Sequence, residues 1–80
     1  MTLPWIQQKY PMLAKASEGG LEYAIWEHPS LIHPGSLMYT VAQRTPLNGL
    51  RQRKEYRRTT EIPFVAQAVS QAEQWALERE

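Results

Sequence analysis

The most concentrated chemistry in the sequence is a cluster of cationic side chains near its middle. Residues 44–58 contain six cations and one anion, Glu55. The cations are Arg44, Arg51, Arg53, Lys54, Arg57 and Arg58. Guanidinium groups pair with phosphate oxygens through forked hydrogen bonds, and several of them on one surface can follow a nucleic-acid backbone. We refer to these six side chains as the basic run and predict that they contact nucleic-acid phosphates.

Trp26 is the aromatic residue that could extend such a surface. The alternation along residues 21–28 predicts a strand with Leu21, Tyr23 and Ile25 on its core face. Trp26 would then be exposed on the same sheet face as the arginines, where an indole beside guanidinium groups favours stacking with single-stranded nucleic acid or with a protein. The alternative places Ala24 and Trp26 on the inner face of this strand.

The basic run also fits two other interpretations. Charged side chains on an exposed strand discourage edge-to-edge aggregation, so the run could be a solvated edge. It could also pair with an acidic protein, or with the acidic tail of a second copy, which carries Glu73, Glu78 and Glu80.

Other residue types give weaker signals for chemistry. His28 and His33 lie near Glu27 and could in principle hold a metal, but no further ligands follow at a recognisable spacing. We expect them to be surface residues and predict no metal and no cofactor. The chain has no aspartate, and its serines, histidines, glutamates and glycines form no catalytic or phosphate-binding motif. We therefore predict that the protein is not an enzyme.

The elements that position these residues follow from the spacing of apolar side chains. Residues 2–17 have a spacing close to the helical period, interrupted by Pro11, and Gly19 and Gly20 supply a stop. We predict a kinked helix, or two short helices, there. Residues 29–36 contain two prolines and a glycine and predict a loop, whose Leu31 and Ile32 should pack against the rest of the protein.

Asn48-Gly49 predicts a tight hairpin turn between the second and third strands. In that register Leu47 faces Leu50, Val41 faces Tyr56, Tyr39 faces Arg58 and Leu37 faces Thr60 on the core side. Arg44, Arg51, Arg53 and Arg57 then lie on the solvent side, with Lys54 and Arg58 as flanking charges. A sheet covered on one side requires this separation.

The C-terminal segment carries the clearest helical pattern. Pro63 suits an early helical position, and one face of the segment is apolar. That face comprises Phe64, Val65, Ala68, Val69, Ala72, Trp75 and Ala76. We predict that this helix is the main cover of the sheet. The predicted fold is therefore α+β, a three-stranded antiparallel meander covered on one face by helices, in the order α-β-β-β-α.

This predicted order resembles that of the double-stranded-RNA-binding domain, and its last four elements look like the arm-binding domains of phage-type integrases. The RNA-binding family has a lysine-rich start to its final helix, whereas residues 62–66 here contain no cation. The integrase-type domain presents its sheet to the DNA major groove. The resemblance therefore implies DNA rather than duplex RNA as the ligand.

Length and composition limit the remaining possibilities. The 80 residues, 42% of them hydrophobic, suffice for one core, and we predict a single domain over residues 1–80. The absence of cysteine excludes disulfides, thiolate metal sites and a cysteine nucleophile. No membrane span or signal peptide is predicted, so we expect a cytoplasmic protein without membrane contact. The predicted function is a small non-enzymatic module that binds nucleic acid; the alternative is a protein-interaction or small regulatory factor, with a homodimer among the candidates.

Overall fold

The computed structural model describes residues 2–45 and 54–78, which form an antiparallel sheet and one helix. The strands are β1 (Ile6–Gln7), β2 (Met12–Glu18), β3 (Leu21–Pro29), β4 (Leu37–Arg44) and β5 (Glu55–Arg58), and the helix is α1 (Val65–Glu78). The strand order is β1-β2-β3-β4-β5, so each strand pairs with its neighbours in sequence. The α+β class and the antiparallel meander are confirmed. The order α-β-β-β-α is wrong, because the described chain runs β-β-β-β-β-α.

The predicted first helix is replaced by β1 and β2. Glu18 pairs with Leu21, and the two residues between them have positive φ angles, +59° at Gly19 and +81° at Gly20. Such a pair forms a two-residue hairpin turn whose twist matches the flanking strands. The same glycines also suit the end of a helix, which is why the sequence favoured the wrong element.

The pairing of β4 with β5 differs from the predicted register. Ala42 pairs with Arg58 and Gln43 with Arg57, whereas Arg44 pairs with Glu55 across a bulge that leaves Tyr56 as the extra residue. The predicted pairs of Val41 with Tyr56 and Tyr39 with Arg58 are therefore wrong; Tyr39 forms its bridge with Ile62 instead. The expected turn at Asn48-Gly49 and the Leu47–Leu50 pair lie outside the described residues. Relative to the predicted register, Arg57 and Arg58 are shifted by three residues, an odd number that exchanges their two faces, whereas Glu55 is shifted by two and stays on the predicted face.

Helix α1 packs against β3 and β4 and buries one face of the sheet. The core contains Leu21, Tyr23 and Ile25 from β3 and Val41 from β4, as the strand alternation predicted for β3. The helix contributes Ala68, Ala72, Trp75 and Ala76, with Val69 partly buried. The three alanine side chains are small, which favours close packing of the helix on the sheet. Phe64 and Val65 were expected in this interface but are 63% and 41% exposed, because they lie at the start of the helix.

The N-terminal segment completes the core beside the helix. Leu3 is buried in the core cluster, and its N–H donates to Glu73 Oε2 of α1 at 3.2 Å. Trp5 packs against the same cluster. The opposite face of the sheet has no helix over it in the described part of the chain. No helix within residues 2–45 and 54–78 is long and apolar enough to cross a membrane.

Candidate functional site

The sheet face opposite α1, which we call the open face, carries Trp26 at its centre. Trp26 pairs with Thr40 of β4, and Ala24 pairs with Ala42 one step further along the same face. Both alanines are fully buried although no helix covers them. Larger side chains on the open face must therefore cover these alanines. Trp26 itself is only partly buried.

Two arginines of the basic run contact Trp26. The guanidinium carbon of Arg44 lies 4.9 Å from the centre of the Trp26 ring, and that of Arg58 lies 5.0 Å from it. The structure thus brings Trp26 together with two cations of the basic run. Of the two orientations considered for this strand, it adopts the one in which Leu21, Tyr23 and Ile25 form the inner face. The guanidinium groups already occupy the aromatic surface on which a nucleobase would stack.

Both of these arginines are also paired with glutamates of the same chain. Arg44 Nη2 lies 2.6 Å from Glu22 Oε1, and their side chains are only 11% and 8% exposed. Arg58 Nη2 lies 2.6 Å from Glu55 Oε1 in a half-exposed pair. The hydrogen bond from Arg58 lowers the pKa of the Glu55 carboxyl. A phosphate would therefore have to displace a glutamate from either arginine, and it would have to enter a buried pair to reach Arg44.

Arg57 lies on the helix side of the sheet, not on the open face where the sequence placed it. Its guanidinium carbon is 5.6 Å from the centre of the Trp75 ring, and its Nη1 donates to Glu78 Oε2 at 2.7 Å. The cause is the observed register, which sets Arg57 opposite Gln43. Arg57 therefore connects the edge of the sheet to the C-terminal turn of α1.

The remaining cations of the basic run do not complete a shared surface within the described residues. Lys54 is exposed, with its Nζ 5.0 Å from the centre of the Tyr56 ring. Tyr56 was expected in the core but is about half exposed. Arg51 and Arg53 lie outside the described residues. The described cations thus divide between the two faces of the sheet.

His28 is held by atoms of the chain. Its Nδ1 lies 3.0 Å from the carbonyl oxygen of Pro29, and its Nε2 lies 2.6 Å from Thr40 Oγ1. Because a carbonyl can only accept, Nδ1 is the donor to Pro29, while the direction of the bond between Nε2 and the Thr40 hydroxyl depends on which ring nitrogens carry a proton. Among residues 2–45 and 54–78, no group of three or more metal-ligating side chains lies close enough together to hold an ion.

A second candidate surface lies at the end of the sheet where β3 turns into β4 and where α1 begins. Leu31 is 92% exposed and Ile32 is 71% exposed in the connecting loop. Leu37, the first residue of β4, and Phe64, which directly precedes α1, are also more than half exposed. We call these four residues the apolar end. The expectation that Leu31 and Ile32 pack against the protein is wrong.

Hydrogen bonds fix the backbone of this exposed loop. Glu61 accepts from the Ser30 hydroxyl and from the Leu31 N–H, each at 2.7 Å. Ser30 Oγ in turn accepts from the N–H groups of Ile32 and His33. The two bonds to Glu61 lower the pKa of its carboxyl. A serine followed by a Pro-Gly turn was the visible signal for an ordered loop, but its long-range partner Glu61 could not be identified from the sequence.

No protein-family model matches this sequence, and no curated protein or solved structure is significantly similar to it. The functional argument therefore depends on the two surfaces themselves.

Proposed function

We propose that the protein is a non-enzymatic protein-interaction module that inserts its apolar end into an apolar pocket of a partner protein. The observation that carries the proposal is the exposure of Leu31 and Ile32 on a loop whose backbone is held by Glu61 and Ser30. Neighbouring large apolar side chains that point into water are typical of interaction surfaces.

The fixed backbone explains why this loop suits binding. A flexible loop loses conformational entropy when it docks, and that loss opposes association. Here the carboxylate of Glu61 and the hydroxyl of Ser30 already hold the loop before any partner arrives. Burying a leucine or isoleucine side chain contributes about 1.5 to 3 kcal/mol, so two such anchors can dominate the affinity of a small interface.

A photo-crosslinking amino acid at Ile32 tests the proposal in living cells of the source organism. We expect a discrete adduct with one protein from position 32 and none from Gln67, which is exposed on the polar side of α1. The adduct partner is then purified and its affinity is measured. Leu31→Ser together with Ile32→Ser should weaken binding by about 100-fold, at about 1.4 kcal/mol per factor of ten.

Leu77→Ser is the matched control, because Leu77 is about half exposed near the other end of α1. It should leave the affinity unchanged. Equal adducts from positions 32 and 67, or an affinity that is insensitive to the double substitution, would show that the apolar end is not the docking surface.

Nucleic-acid binding remains the second candidate, supported by the exposed Lys54 and by the half-exposed Arg58 beside Trp26. These two cations can reach phosphates without entering a buried pair, unlike Arg44. Arg51 and Arg53 precede them in the sequence. The proposed ligand is DNA, with contacts to its backbone rather than to its bases.

A titration of labelled DNA at several salt concentrations tests this second candidate. Each phosphate contact should contribute about 0.9 to the slope of log affinity against log salt. Lys54→Ala should reduce the slope by about that amount, whereas Lys9→Ala, an exposed cation far from β5 in the chain, should not change it. The candidate fails if no binding occurs at low salt.

A further inference from the structure

The outer edge of β5 leaves main-chain hydrogen-bonding groups for another strand. The other edge strand in the described fold, β1, has two residues, whereas β5 has four. β5 is the last strand of the sheet, and within residues 2–45 and 54–78 only β4 pairs with it. Natural proteins protect such edges with charges, bulges and short strands, and β5 has all three features. These features also determine which strand the edge can accept.

The bulge sets an unusual spacing of the outward-facing groups. The carbonyl of Lys54 accepts from the Thr45 N–H, and the Thr59 N–H donates to the Val41 carbonyl, so the backbones of both residues face β4. Their neighbours Glu55 and Arg58 therefore direct their own N–H and C=O groups away from β4. These outward groups are three residues apart, whereas a regular strand presents them every two residues. A second copy of β5 that runs in the opposite direction has the same bulge, so its outward-facing groups have the same spacing.

The charges along β5 lead to the same register. If a second copy pairs antiparallel so that Glu55 lies opposite Arg58 of the second copy, then Tyr56 lies opposite Arg57. Both arginines thus face a carboxylate or an aromatic ring. If the pairing is shifted by one residue in one direction, Arg57 lies opposite Arg57 of the second copy. If it is shifted by one residue in the other direction, Lys54 lies opposite Arg58 of the second copy. Like charges directly opposite are destabilising, so the first of these three registers, which has none, is the most favourable electrostatically.

From these observations we propose that the protein forms a symmetric dimer in which β5 pairs antiparallel with β5 of a second copy, with Glu55 opposite Arg58. The side chains required are accessible. Glu55 and Arg58 are half exposed. Within the chain they form an ion pair 2.6 Å long, with the Arg58 guanidinium group beside the Trp26 ring, so in the dimer each side chain exchanges this contact for the one across the interface. The four-residue edge is small, so the dimer is weak and forms at high protein concentration.

Sedimentation equilibrium from micromolar to millimolar concentration measures the dimer, and charge reversal tests its register. Arg58→Glu places two carboxylates opposite each other, and Glu55→Arg places two guanidinium groups opposite each other. Each should raise the dimer dissociation constant at least tenfold. An equimolar mixture of the two variants, or the double variant, should restore association, because opposite charges then face each other again.

Matched controls separate a register-specific effect from a change in net charge. Lys15→Glu on β2 changes the charge as Arg58→Glu does, and Glu18→Arg matches Glu55→Arg. Both should leave the dimer unchanged. Circular dichroism confirms that every variant is folded.

Cysteine trapping gives an independent readout, because the natural chain contains no cysteine. A mixture of Glu55→Cys and Arg58→Cys chains should form the mixed disulfide in excess of either homodimer, since directly opposed strand residues lie within disulfide distance. The proposal is overturned if the protein stays monomeric at millimolar concentration, or if the dimer persists in both charge-reversed variants. It does not depend on the apolar end: a dimer lost in Leu31→Ser/Ile32→Ser but not in Arg58→Glu would place self-association there instead.

Discussion

At the scale of single residues, Arg44 shows how an ion pair within the chain limits the access of a cation to other molecules. It belongs to the most conspicuous pattern in the sequence, yet its guanidinium group is buried against Glu22 and the Trp26 ring. Arg58, on the same face, is half exposed and can still reach another molecule. Two members of one basic run therefore have different environments, since Arg44 is buried with its carboxylate and Arg58 is half exposed.

The buried pair makes a prediction about stability. Glu22→Gln leaves the Arg44 guanidinium buried without its carboxylate, and we expect a loss of about 3 kcal/mol in the free energy of unfolding, measured in urea. The double variant Glu22→Leu/Arg44→Met removes both charges and should recover most of this loss. If the single variant costs less than about 1 kcal/mol, solvent reaches the pair and Arg44 is free to bind an anion.

Glu61 predicts how the exposed loop responds to pH. Its carboxylate accepts from Leu31 and Ser30, and these bonds lower its pKa from the ordinary value of 4.5. A lowered pKa means that the stabilisation is complete above pH 4.5 and is lost as the pH falls through the lower folded-state value. The NMR shift of the Leu31 amide should therefore titrate with a midpoint below 4.5.

Glu61→Gln is the control for this titration, since an amide does not ionise. The Leu31 amide of that variant should show no acid transition. A midpoint at or above 4.5 in the natural protein would mean that the loop is not held by the ionised carboxylate.

At the scale of elements, the β2–β3 hairpin depends on the backbone freedom of two glycines. Gly19 has a φ of +59°, and a Cβ added there would meet nothing within 4 Å, so any cost of substitution arises from the backbone alone. We expect Gly19→Val to destabilise the protein by about 1 to 2 kcal/mol. Gly19→Asn should be nearly neutral, because asparagine tolerates this conformation. Thermal unfolding of both variants measures the difference, and equal losses would contradict the turn assignment.

The same hairpin shows why one predicted element was wrong and another was right. The apolar residues of α1 repeat at the helical period without an internal proline, and a helix formed there. The N-terminal segment has a similar spacing, but Pro11 interrupts it and its two glycines permit a strand turn as readily as a helix end. Whether this segment formed a helix or a strand depended on its pairing with β3, which is a contact between separate segments of the chain.

At the scale of the whole molecule, the N-terminal segment and the C-terminal helix meet over the core. Leu3 is 2% exposed and is linked to Glu73 through its backbone N–H. Leu3→Ala should therefore reduce the free energy of unfolding by about 2 to 4 kcal/mol, a large share of what a domain of this size has. Leu77→Ala, at an exposed position of α1, should change it by less than about 0.5 kcal/mol. Similar values for the two variants would show that the N-terminal segment does not close the core.

The sequence by itself determined the features that depend on neighbouring residues. The period of α1 and the alternation that buries Leu21, Tyr23 and Ile25 follow from local side-chain spacing. The prolines and glycine of residues 29–36 predicted the loop, although Pro29 is the last residue of β3. Alternation also predicted that Trp26 shares a face with Arg44, whereas the predicted register set Arg58 on the core side, and only the observed register brings Arg58 beside Trp26. Only the tertiary structure decided the β4–β5 register, because one bulge at Tyr56 moved Arg57 to the helix side. It also decided that Leu31 and Ile32 face water, since the acceptor that holds their loop, Glu61, lies some thirty residues away. Strand register and long-range hydrogen bonds result from many simultaneous contacts, and local patterns do not specify them.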